Sequence, residues 1–121
     1  MRKQAAAAAF AALVALSTAP TQERSCLHGP SETAAQAARR RAALDFARLI
    51  IATESSAHDR GQTYYALSDL HTIPAAPEGF KVQLSTDGAS YSFSLKDTLD
   101  PCQLALFSDQ DGLVYSATPL R

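Results

Sequence analysis

A chain of 121 residues has room for one domain, and a formal net charge of −1 gives no electrostatic case for nucleic-acid binding. Its two cysteines allow one disulfide, and no internal repeat or low-complexity tract appears beyond an N-terminal alanine run.

Met1-Arg2-Lys3 is a short positive segment, Ala5 to Leu16 is uninterrupted apolar sequence, and Ser17-Thr18-Ala19 offers small residues for cleavage. This is the pattern of a secretory signal peptide over residues 1–19. A retained N-terminal anchor or a plain Ala-rich helix is the alternative. The run falls short of the ~20 apolar residues that a membrane span requires, so no stable span is expected after cleavage. Cys26 follows Glu23-Arg24-Ser25 rather than small apolar residues, which argues against a lipid-attachment site. Cleavage after Ala19 leaves nine basic and twelve acidic residues and a net charge of −3. The expected location is periplasmic or secreted.

Residues 20–30 are polar, with two prolines and one glycine, and read as a flexible leader. An oxidising compartment favours a Cys26–Cys102 disulfide, which would tie this leader to the sheet. Closing so long a loop contributes about 4 kcal/mol in the chain-entropy model. Two separate thiols are the alternative.

The domain proper is expected over 31–121. Ser31 is placed as N-cap after Gly29-Pro30, and Glu32 sits where the helix dipole favours a negative charge. From Thr33 to Ala57 there is neither Gly nor Pro. Arg60-Gly61 supplies the stop, with Gly61 as the left-handed residue. Ala35, Ala38, Ala42, Phe46, Leu49, Thr53 and Ala57 recur at three and four, with Ile50 beside them, as a core-facing stripe. Arg41, Asp45, Arg48, Ser55 and Asp59 fall opposite. The Ala-only first half of the stripe predicts a segment that protrudes or lies loosely. A helical turn over Tyr65–Leu70 is expected to plug the gap between helix and sheet with Tyr65, Leu67 and Leu70.

Phe80 to Leu84 and Tyr91 to Lys96 alternate apolar and polar residues around Asp87-Gly88. A two-residue turn pairs Leu84 with Tyr91, Val82 with Phe93 and Phe80 with Leu95. A second pair, Leu104–Ser108 and Leu113–Tyr115, flanks Asp109-Gln110-Asp111-Gly112. Phe107, Leu113 and Val114 do not fit on one face of it, so the pair is either buried on both sides or exposes an apolar strip, a possible contact surface. The expected fold class is α+β: one long N-terminal helix packed on a four-stranded antiparallel sheet.

The order helix, Gly61, Tyr65-x-Leu67-x-x-Leu70, Pro77-x-Gly79-Phe80, Asp87-Gly88 with Tyr91, Cys102, then Phe107-x-Asp109-x-x-Gly112-x-Val114-Tyr115 resembles the globular head of type IV pilins and type II secretion pseudopilins. The resemblance covers residues 31–118. It lacks the Gly-Phe prepilin cleavage junction and the glutamate near the apolar run that filament-forming stems carry. What it implies is an exported, pilin-like protein without enzymatic activity, acting on other envelope, pilus or secretion proteins. A small periplasmic ligand- or calcium-binding module is the alternative.

Asp109 and Asp111 are the candidate calcium ligands, with Asp97 and Asp100 able to approach from the neighbouring loop. Calcium takes six to eight oxygens, however, and aspartates in a turn are commonly turn formers. No other cofactor is expected. Cys26, His28, His58 and His71 match no zinc spacing. Ser55-Ser56 with His58 and Asp59 supplies the residue types of a nucleophile triad, but neighbours on one helix cannot converge on one reacting atom. Arg39-Arg40-Arg41 reads as a solvated, ion-paired run, with an anionic partner as the minority reading.

Overall fold

The computed structural model describes residues 32–100 and 102–118. The expected signal peptide, the leader with Cys26, and the expected N-cap Ser31 lie outside these residues. Helix α1 runs Ala34–Gly61, and its N-cap is Thr33. The Thr33 hydroxyl accepts from the Gln36 N–H at 3.1 Å, and the Gln36 side chain accepts from the Thr33 N–H at 2.9 Å. This reciprocal box satisfies two otherwise orphaned donors. Ser31 has Ala34 three residues on, which cannot reach back. Glu32 is therefore outside the helix, where its carboxylate takes two hydrogen bonds from Arg40 at 2.9 and 3.1 Å.

The other end also departs from expectation. Gly61 stays helical, and Gln62 takes the left-handed conformation at φ 57°. The Tyr65 hydroxyl lies 3.0 Å from where a side chain at residue 61 would begin, so close approach rather than backbone freedom explains that glycine.

Four strands follow: β1 Phe80–Thr86, β2 Tyr91–Asp97, β3 Ala105–Asp109 and β4 Tyr115–Ala117. They form one antiparallel sheet in the order β1-β2-β3-β4, with α1 packed against it. The α+β arrangement expected from the pattern is the one observed.

The buried stripe of α1 is Ala43, Phe46, Ala47, Ile50, Glu54 and Ala57. This is rotated from the expected stripe: Leu49 is 39 % exposed, and Ala35, Ala38 and Ala42 face solvent. Two fully buried alanines, Ala43 and Ala47, let the helix lie close to the sheet and admit Ile50, Leu95 and Leu104 between the layers. Between helix and sheet the chain makes a 3-10 turn at Leu67–Asp69. Leu70 is buried as expected, but Tyr64 rather than Tyr65 fills the gap. Its ring stacks on His58 at 4.3 Å and lies 4.9 Å from Tyr91.

The β1–β2 hairpin pairs Thr86 with Tyr91, Leu84 with Phe93 and Val82 with Leu95. The turn is thus Asp87–Ser90, two residues longer than the Asp-Gly dipeptide predicts. Its hydrogen bonds supply the reason. Asp87 Oδ1 accepts from the backbone of Ala89 and Ser90 and from the Ser90 hydroxyl, while the Thr86 hydroxyl donates to Ser90 O at 2.6 Å. Gly88, at φ +88°, uses its carbonyl to accept from Tyr64 N–H and the Thr63 hydroxyl. A shift of two residues leaves every side chain on its expected face.

The Ala-rich start of α1 does not lie loose. Asp97, fully buried at the end of β2, accepts on Oδ1 from Arg39 at 3.0 Å and from the N–H groups of Leu99 and Asp100 at 2.9 and 3.0 Å. Asp100 in turn accepts from Cys102 N–H and from Gln36. Arg39 passes over the Phe80 ring at 5.1 Å. Gly79, at φ +81°, makes room for it: a Cβ there would meet an Arg39 nitrogen at 2.7 Å and Leu99 at 2.6 Å. Asp97→Ala is expected to cost about 3 kcal/mol in urea unfolding, because it strands Arg39 and two backbone donors. Asp97→Asn keeps an acceptor in place and is expected to cost less.

Candidate functional site

Strand alternation sorts the sheet into two faces. Phe80, Tyr91, Phe93, Leu95, Leu104 and Leu106 are buried against α1. On the outer face, strand pairing aligns three rows. Lys81 and Lys96 lead the first, followed by Ala105 and Ala117. Gln83, Ser94, Phe107 and Tyr115 form the second, and Ser85, Ser92 and Asp109 the third. Phe107 and Tyr115 are directly opposed and remain 43 % and 58 % exposed, with Leu113 beside them in sequence at 60 %. A groove of ≈ 400 Å³ runs over this face, lined in part by Gln83, Ser94, Phe107, Asp109 and Tyr115.

Of the two readings of this strand pair, exposure of apolar side chains is the one observed, with one member exchanged. Phe107 and Leu113 are exposed, but Val114 packs against the core. Tyr115 takes its place, because it pairs with Phe107 on the outer face and alternation turns Val114 to the core side. Strict alternation within residues 113–115, which groups Leu113 with Tyr115 instead of Val114, identifies it.

Lys81 and Lys96 face each other across the strands and are both exposed. Like charges so placed disfavour the pairing by a few tenths to about 1 kcal/mol. Among the described residues neither makes an ion pair.

The remaining candidates make the following contacts. Asp109 Oδ1 accepts from Asp111 N–H at 2.9 Å, an arrangement that builds the β3–β4 turn. Asp97 and Asp100 are engaged with Arg39, Gln36 and backbone donors, away from that turn. Among the described residues no group of three or more His, Cys, Asp or Glu side chains converges on a metal position. Ser55, Ser56 and Asp59 are exposed, and His58 is stacked on Tyr64 rather than aimed at a serine. Arg39 and Arg40 of the basic run are paired with Asp97 and Glu32. Cys102 is buried and is not a free thiol; its expected partner, Cys26, lies outside the described residues. A second open groove, ≈ 460 Å³, lies where α1 meets the following loop, bordered by Thr53, Arg60, Tyr65, Asp69 and His71.

One group escaped the sequence reading altogether. Glu54 is fully buried. Its Oε2 accepts from Tyr65 N–H at 3.0 Å, and its Oε1 has no partner. Burial pushes its carboxyl above the ordinary value of 4.5, opposed by the Tyr65 hydrogen bond. Tyr91 is pushed up to about 12, chiefly by burial and then by Glu54. Within Thr53-Glu54-Ser55-Ser56 this residue reads as surface. Only its spacing from Ile50 and Ala57 marks it as part of the buried stripe.

No family model matches the chain, and no curated protein or solved structure matches it.

A raised folded-state value means that the stability contributed by protonated Glu54 is complete below the unfolded value and is lost as pH rises through the folded one. Glu54→Gln is accordingly expected to melt above the wild type at mildly alkaline pH and to match it in acid near the unfolded value. Circular-dichroism melts at both pH values check this.

Proposed function

We propose that this is an exported, non-enzymatic protein that works through protein–protein contacts in the cell envelope, with the outer face of the sheet as its contact surface. The observation that carries the reading is the exposed, directly opposed Phe107–Tyr115 pair on a face otherwise built of Ser, Gln, Lys, Ala and Asp109. Aromatic side chains supply large, semi-rigid contact area and are enriched in interface cores, and exposed apolar clusters rimmed by polar groups mark such surfaces. The pilin-like part of the proposal is supported by element order: a helix followed by a four-stranded antiparallel meander is what the resemblance implies. Export is supported by the basic–apolar–small pattern of residues 1–19, and by a buried Cys102 that is not a free thiol. Among the described residues no helix is long and apolar enough to cross a membrane.

Mass spectrometry of the protein from its native host is expected to find an N-terminus near Pro20 and two hydrogens missing at Cys26 and Cys102. An intact Met1 with free thiols overturns the export reading. A photo-crosslinking amino acid at Phe107 or Tyr115 is expected to trap protein, whereas one at the exposed helix position Asp59 is not. Equal trapping at all three positions, or none, overturns the contact surface.

A further inference from the structure

We propose that the outer face of the sheet binds the same face of a second copy of this chain, related by a two-fold axis that crosses the strands. This rests on the reading of that face as a contact surface and names its occupant.

The argument comes from how charge is laid out. Lys81 and Lys96 occupy the row at one end of the outer face. Asp109 lies in the row at the other end, and the β1–β2 and β3–β4 turns, carrying Asp87 and Asp111, project from that same end. Backbone N–H groups of Ser90 and Ala89 hold the Asp87 carboxyl below its usual range, so it stays charged. On β2, Lys96 and Ser92, which pairs with Asp109, are four residues apart, so the two ends are separated by about 13 Å. That exceeds a Debye length of about 8 Å at physiological ionic strength. The two ends therefore do little to neutralise each other within one copy.

Between them lies the aromatic row. An axis along Gln83–Ser94–Phe107–Tyr115 carries the lysine end of one copy over the acidic end of the other and sets the aromatic pair of one against that of its mate. One apolar contact on the axis and two charge contacts related by it are made at once. A partner of a single charge sign matches one end and opposes the other. A second copy satisfies both: it sets Asp109 over the mate's Ala105, one strand or about 5 Å from Lys96, and brings the Asp87 and Asp111 turns to the lysine end.

Sedimentation velocity of the mature protein over a concentration series tests this. The expected result is a reversible dimer that weakens as salt is raised from about 50 mM to about 500 mM. K81E/K96E makes both ends acidic and is expected to weaken dimerisation about tenfold or more while leaving the melting curve near wild type. A complementary variant, D109N/D111K, keeps the acceptor for the Asp111 backbone N–H and is expected to weaken self-association likewise. Mixing the two variants is expected to restore a dimer. A wild-type monomer at every concentration, or a dimer indifferent to K81E/K96E, overturns the proposal. If the protein is monomeric but Phe107 still crosslinks to a different protein, the contact surface stands and self-association falls. If it is monomeric with no crosslink at Phe107, both fall.

Discussion

A carboxylate removed from water must find its hydrogen bonds inside the protein. Asp97 does so with one oxygen, and in doing so joins three parts of the chain. Arg39 brings the first half of α1, the Leu99 and Asp100 amides bring the loop after β2, and the Asp97 backbone N–H bonds to Leu104 at the entry to β3. The small residues at the start of the helix bury little apolar area, so packing alone gives this half little reason to dock. Polar contacts, Gln36 to Asp100 and Arg39 to Asp97, supply the reason instead. Glu54 is equally buried but has a single donor, the Tyr65 amide. The two acids show how the same degree of burial produces an anchor in one place and a carboxyl pushed toward its neutral form in another.

The strands were legible because alternation is a two-residue signal that survives errors in turn length. Phe80, Val82, Leu84, Tyr91, Phe93 and Leu95 all face inward as their spacing requires. The helix was legible in extent but not in rotation. Ala, Leu and Thr fit almost any face of an Ala-rich helix, so Leu49 and Thr53 were as plausible as Ala43 and Ala47. The choice is made by the sheet, which demands small residues where the backbone comes nearest. The same ambiguity hid Glu54, since nothing local distinguishes a buried glutamate from a solvated one. The exposed apolar residues were half legible: Phe107 and Leu113 carried the signal, and strand alternation exchanged Val114 for Tyr115.

This division of labour separates stability from recognition. The inner face and α1 hold the apolar core and both fully buried acids. The outer face holds an aromatic pair, a row of small polar groups and two opposed lysines, none of which the core needs. Residues on that side can change their chemistry while leaving the packing behind them intact.

The Asp87–Ser90 turn carries a further consequence. Because side chains alternate strictly along β1 and β2, inside and outside are governed by the parity of the loop. Lengthening or shortening it by an even number slides one strand along the other yet preserves which residues meet the helix. An odd change turns one strand over relative to the other: with Leu84 kept against the helix, Phe93 is presented to water and Ser92 to the core. Loop-length variation in this hairpin is therefore filtered by arithmetic before it is filtered by sequence, and drift between homologous chains is expected to proceed in pairs.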